Sequence, residues 1–174
     1  MSGEFKLVGI AKVRKALNNG ALVNQSIPNG HYTSPAFPYE PVTFNQVLQD
    51  TLGVFDPIDS SFKIPAGVDY AEFFVQGVWV GNSNGPRQWV ILRKSPRNVD
   101  PTKFWFYDGS AVMNQTAISG TTTDHQGRSV GLDDVVLDEK YAPFPMQMSG
   151  APLELQGGTG TVFAAKFYKF VPAQ

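Results

Sequence analysis

An all-β fold, with short strands layered as a sandwich or closed as a barrel, is the class this sequence predicts. The first observation is compositional: 13 Phe, 6 Tyr and 3 Trp accompany 17 Gly and 13 Pro among 174 residues, spread along the chain. Aromatic side chains fit a pleated surface, whereas Gly and Pro interrupt helices and make turns. The second is period-two alternation in two long runs, residues 70–80 and 161–171. The third is punctuation. Turn-forming groups such as Asn18-Asn19-Gly20, Pro28-Asn29-Gly30, Pro65-Ala66-Gly67 and Asp108-Gly109 cut the chain into strand-length pieces, about eight to ten in all.

Residues 1–20 carry Leu7, Ile10 and Leu17 near helical spacing, and Leu7, Ala11 and Val13 near strand spacing. They are read as an N-terminal arm ahead of a single domain, 21–174. Residues 21–27 form a first strand, and 31–41 an extended loop, because Pro35, Pro38 and Pro41 bias the residues before them away from helix. A second strand covers 42–48, turn residues around Gly53 and Pro57 follow, and a short strand at 62–64 meets the turn Pro65-Ala66-Gly67.

The longest strand, 70–80, is apolar on both sides: Ala71, Phe73, Val75 and Trp79 alternate with Tyr70, Phe74, Val78 and Val80. One strand of a two-layer sandwich needs only one apolar face, so the second asks for another cover, and a partner subunit is the economical one. Residues 87–94 are expected to return beside this strand as a hairpin, followed by strands at 103–107 and near Val112 and Val135. The final run places Phe163, Ala165 and Phe167 on one face and Val162, Ala164, Tyr168 and Phe170 on the other. An apolar strand of this kind belongs inside a sheet, since at an edge it would recruit other chains.

Composition excludes several classes. Without cysteine there is no disulfide, thiolate zinc site or cysteine nucleophile. The 14 Lys and Arg against 15 Asp and Glu are scattered, so no electrostatic footprint for nucleic acid or an anionic membrane emerges. Glu4, Lys6, Lys12, Arg14 and Lys15 interrupt the apolar residues of the N-terminus, where neither a signal peptide nor a membrane anchor is read.

Three segments, in order, carry the most specific pattern in the chain. The first is Ala21-Leu22-Val23-Asn24-Gln25-Ser26-Ile27-Pro28, with its Gln-x-Ile-Pro ending. The second runs from Val42-Thr43-Phe44-Asn45-Gln46-Val47 through Gly53-Val54-Phe55-Asp56 to Phe62-Lys63-Ile64-Pro65-Ala66-Gly67 and Tyr70. The third joins residues 87–94 to a glycine-spaced close over 153–170. Together they resemble the tumour necrosis factor and complement globular-head jelly roll in the form carried by bacteriophage virion proteins. Departures are the long 31–41 link, Asp69 before Tyr70, and 95–145, which has no counterpart. The resemblance implies a ten-strand jelly-roll sandwich forming a homotrimer, with Tyr70, Phe74, Val78, Tyr168 and Phe170 between subunits. It also implies a non-enzymatic structural or adhesion role in a virion, as a tail-fibre or spike head or a capsid-surface knob. The particle would assemble in the host cytoplasm, and the arm would attach the domain to other virion proteins.

The remaining motifs carry little chemistry. Gly81-x-Ser83-x-Gly85 matches a nucleophile elbow in spelling, but the expected strand after Pro86 denies it the helix that motif requires. Asp124-His125 has only His31 as a second histidine, which rules out a multi-histidine metal site within one chain. Asp133, Asp134, Asp138 and Glu139 do not follow calcium-loop spacing and read as a solvated acidic loop. No catalytic residue, metal or cofactor is expected. Tyr32, Phe37 and Tyr39 between prolines, with Trp105 and Tyr107, are rigid amphipathic side chains suited to a host-surface glycan or protein. The rival reading is a monomeric carbohydrate-binding sandwich, with Trp105 or Tyr39 stacked on a sugar ring.

Overall fold

A computed structural model of the chain describes residues 2–15, 25–27, 42–80, 85–94, 112–117, 126–147, 153–155 and 160–174. The described residues contain thirteen strands. They are β1 (Gly3–Arg14), β2 (Gln25–Ile27), β3 (Gln46–Asp50), β4 (Phe55–Asp56), β5 (Ser61–Lys63), β6 (Tyr70–Gln76) and β7 (Trp79–Val80). There follow β8 (Gly85–Lys94), β9 (Val112–Ala117), β10 (Gln126–Val130), β11 (Lys140–Gln147), β12 (Leu153–Leu155) and β13 (Val162–Pro172). Ten of them make two five-stranded sheets, ordered β10-β6-β13-β1-β3 and β4-β5-β11-β8-β9, and β2-β12-β7 form a small third sheet. Neighbouring strands are antiparallel, and the chain crosses between the two large sheets at β3 to β4, β5 to β6, β9 to β10 and β10 to β11. This is the expected all-β jelly-roll sandwich.

Alternation makes the core. On β6, Ala71, Phe73 and Val75 are buried between half-buried neighbours, and on β13 Phe163, Ala165 and Phe167 are buried, with half-buried Ala164 and exposed Lys166 between them. Each faces the second sheet, where Phe62 on β5 stacks on Phe163 at 4.4 Å and Tyr141 on β11 stacks on Phe73 at 4.5 Å. Stacked and edge-on rings add about 0.5–1.5 kcal/mol per pair to the gain from burial, so these contacts clamp the layers. β13 lies between β6 and β1, the interior place expected for an apolar closing strand.

Turns are set by specific residues. Asp50 accepts hydrogen bonds from the N–H groups of Val54 (2.9 Å) and Phe55 (3.0 Å), folding the chain around Gly53 at φ +64°. Gly67, at φ +81°, supplies the left-handed residue of the turn after Pro65. Ser60 adopts φ +53°, and its hydroxyl receives the Phe44 N–H at 3.0 Å, linking this turn to the segment before β3.

Five expectations are corrected. Residues 3–14 are no arm: they form β1, paired with β13 from Gly3↔Pro172 to Arg14↔Val162, and Ala11 and Val13 are core residues. The ladder with β13 resolves the local helix–strand ambiguity by satisfying the backbone of the whole segment. The strand expected at 42–48 is paired over Gln46–Asp50, with Val42 and Phe44 buried in the approach to it. The 70–80 run breaks between β6 and β7, and β8 is not its hairpin partner. Instead β8 lies in the opposite sheet between β11 and β9, because Trp89 and Ile91 are buried in the core, where Trp89 meets Trp79 at 5.9 Å. Val135 sits in a turn closed by Val135 N–H to Gly131 O at 3.1 Å, not in a strand.

Candidate functional site

The β10-β6-β13-β1-β3 sheet has one face on the core and a second face turned away from the sandwich. Cross-strand register sets that outer face out in rows. Phe5 lies opposite Phe170, and Leu7 opposite Tyr168, which is opposite Tyr70. Next come Ile10, Lys166, Glu72 and Ser129, and then Lys12, Ala164, Phe74 and Gly127. Tyr70, Phe74, Tyr168 and Phe170, all expected from sequence to face a neighbour, are together on this face and half-buried in the single chain. Val78, the fifth, lies in the link between β6 and β7, half-buried, against Gly160 and with its N–H on the Thr161 hydroxyl at 3.2 Å.

Aromatic contacts unite one end of the face. The Phe5 ring lies 5.2 Å from Tyr70 and 5.4 Å from Phe170, the latter edge-on, and Tyr70 is 5.6 Å from Tyr168. Phe5 and Leu7 remain 44% and 48% exposed, too much apolar surface for a pair of neighbours on one strand to leave unexplained. Sequence reading assigned both to an arm and so missed them. Their spacing, with Leu7 two residues after Phe5, was the available signal.

Among the described residues a single carboxylate interrupts this surface. Glu72 accepts hydrogen bonds from the Tyr70 hydroxyl at 3.1 Å and the Tyr168 hydroxyl at 3.4 Å, one on each oxygen. Burial, then the Glu72 charge and hydrogen bond, push the Tyr168 hydroxyl above its usual pKa, so it stays a donor.

Two other polar clusters serve the fold. Lys15, 3% exposed at the end of β1, donates to Gln25 Oε1 and to the Thr43 carbonyl, both at 2.9 Å, and burial lowers its pKa to about 8. Lys140 on β11 bridges Asp56 at 2.7 Å and Asp59 at 3.1 Å, while the Ser61 hydroxyl donates to Asp59. Burial alone would raise the Asp56 carboxyl, but hydrogen bonds from Lys140 and the Ile58 N–H, with the charges of Lys140 and Lys63, hold it below its usual value.

The acidic loop does not converge: Glu139 is buried with Tyr141 at 2.7 Å and Arg93 at 3.7 Å, and Asp138 pairs with Lys63 at 3.7 Å. Among the described residues no three potential metal ligands cluster. Tyr32, Phe37, Tyr39, Trp105, Tyr107, His31 and Asp124-His125 lie outside the described residues.

Among solved structures, the globular domain of zebrafish complement 1qA is similar, with a TM-score of 0.47, 15% sequence identity, and coverage of 96% of this chain and 100% of that one. No protein-family model matches the chain, and comparison with curated proteins gave no match.

Proposed function

We propose that this jelly roll is a homotrimeric, non-enzymatic structural or adhesion protein of a bacteriophage virion, with the outer face of the β6–β13–β1 sheet as its subunit interface. The observation that carries the reading is the half-buried cluster of Tyr70, Phe74, Tyr168 and Phe170, extended by exposed Phe5 and Leu7. Water contact with such a surface costs roughly 25 cal/mol per Å², and a stable subunit contact needs only about 1,000 Å² in all. Hydrogen-bonded tyrosines suit a face that is wet during folding and dry afterwards, because each carries a polar tip on an apolar ring.

The virion setting is supported by the resemblance of residues 21–28, 42–70 and 153–170 to phage jelly-roll proteins. On this reading the chain stands on the outside of the particle, as a tail-fibre or spike head or a surface knob, where host-surface glycans or proteins would be its contacts.

Light scattering tests the assembly: three times the 19.0 kDa chain mass is expected, and a stable monomer at micromolar concentration overturns it. Immuno-electron microscopy of the source particle with antibody to this chain tests the setting, with regularly spaced label on the virion as the expected result and unlabelled particles as the refutation.

A further inference from the structure

Apolar contact is non-directional, so a sheet covered only by rings and aliphatic chains could meet its neighbours in several registers. Among the described residues Glu72 is the carboxylate that breaks this face, beside the cations Lys166 and Lys12. Both its oxygens are held by the Tyr70 and Tyr168 hydroxyls, which draws the carboxylate toward the Tyr70–Tyr168 row. Lys166 stands directly across from Glu72 in the ladder, in the next row from those tyrosines. It is exposed and, among the described residues, has no ion-pair partner within the chain. The other groups flanking Glu72 cannot neutralise it: Ser129 on β10 and Ile10 on β1 are uncharged. Arg14 is engaged by Gln46 at 2.6 Å, Asp69 is an acid held on the Phe170 N–H at 2.9 Å, and Lys12 lies one row further along.

Covering Glu72 with a second copy removes water from a charge whose hydroxyl partners are neutral, and an uncompensated buried charge is among the costliest defects an interface can hold. Any register that brings a cation onto it is therefore strongly selected. We infer that Lys166 of one copy docks on the Tyr70–Glu72–Tyr168 site of its neighbour, so that one charged contact per interface fixes the register of the trimer. This rests on the trimer reading and assigns to that interface the contact that orients it.

The test uses the full chain in sedimentation and light scattering. Glu72→Lys and Lys166→Glu should each raise the trimer dissociation constant by at least about tenfold, within the range of close interfacial ion pairs. Glu72→Gln should do so more mildly while sparing the fold, which circular dichroism would verify. The decisive arm is a refolded mixture of Glu72→Lys and Lys166→Glu chains. Opposite charges then meet only where unlike chains touch, which is two of the three interfaces of a mixed trimer, so partial recovery is expected, with mixed trimers more stable than those of either variant alone. Lys12→Met should leave assembly unchanged. A wild-type monomer would remove the trimer reading itself. Wild-type trimers indifferent to all three charge variants would overturn only this inference. So would rescue by the exchanged double variant but not by mixing, since that places the pair within one chain, and so would weakening by Lys12→Met in place of Lys166→Glu.

Discussion

Two residues isolate single physical effects. Lys15 is buried with, among the described residues, carbonyl oxygens as its partners, and its pKa falls from 10.5 to about 8. The unfolded chain therefore keeps this proton to higher pH than the folded one, so unfolding between these values takes up a proton, and stability rises with pH across that window. The deficit is complete below about pH 8 and is relieved on the way to 10.5. Urea midpoints measured from neutrality to about pH 9.5 should climb, and the climb should vanish in Lys15→Met. The upper limit matters because the Tyr168 hydroxyl, with its raised pKa, contributes the opposite slope above 10. Gly67 gives a purely conformational case: at φ +81° a Cβ would touch nothing within 4 Å, so Gly67→Ala changes no contact. The left-handed backbone alone should cost about 1–2 kcal/mol, read as a lowered urea midpoint with an unchanged slope.

Elements differ in how they are held. β6 and β13 are fixed by the ring stacks Phe73–Tyr141 and Phe62–Phe163, and Phe73→Ala should cost about 3–5 kcal/mol because a closely packed core cannot collapse around the missing ring. The Lys140 bridge from β11 to the β4–β5 turn is partly solvated, and Lys140→Met should cost no more than about 1 kcal/mol at neutral pH. Because the Asp56 carboxyl is held below its usual 3.8, its contribution is present above that value and is lost as pH falls through the lowered one. The difference between wild type and Lys140→Met should accordingly shrink progressively as acid denaturation is carried below the usual carboxylate value of 3.8. These elements were also unequally legible in the sequence. Strict alternation betrayed β6 and β13, and the Pro65-Ala66-Gly67 turn was visible from its residues alone. β1 was hidden, because Glu4, Lys6, Lys12 and Arg14 break up its apolar pattern and its partners lie at the far end of the chain. The β8 hairpin failed for the same reason: sequence proximity suggested a neighbour, whereas the buried Trp89 drew the strand into the opposite sheet.

At the scale of the whole molecule the question is what covers the second face of β6. The doubly apolar run at 70–80 announced that face, and the ladder brings Tyr70 and Phe74 together with Tyr168 and Phe170 from nearly a hundred residues away. Phe74 is the most telling probe. Its row holds Ala164 on one flanking strand and Gly127 on the other, so the ring has no large apolar neighbour beside it in that row and only a half-buried environment within its own chain. Phe74→Arg keeps the strand, the core face and the net fold, but places a cation where a neighbouring copy would exclude water. If a second copy covers this face, the variant should be monomeric in light scattering while its β-sheet circular dichroism stays intact. If the face is open to solvent in the working protein, the same change should leave the mass unaltered and the stability within about 0.5 kcal/mol, as surface substitutions generally do. The two outcomes separate cleanly, because a charge is tolerated in water and not in a dry contact between subunits.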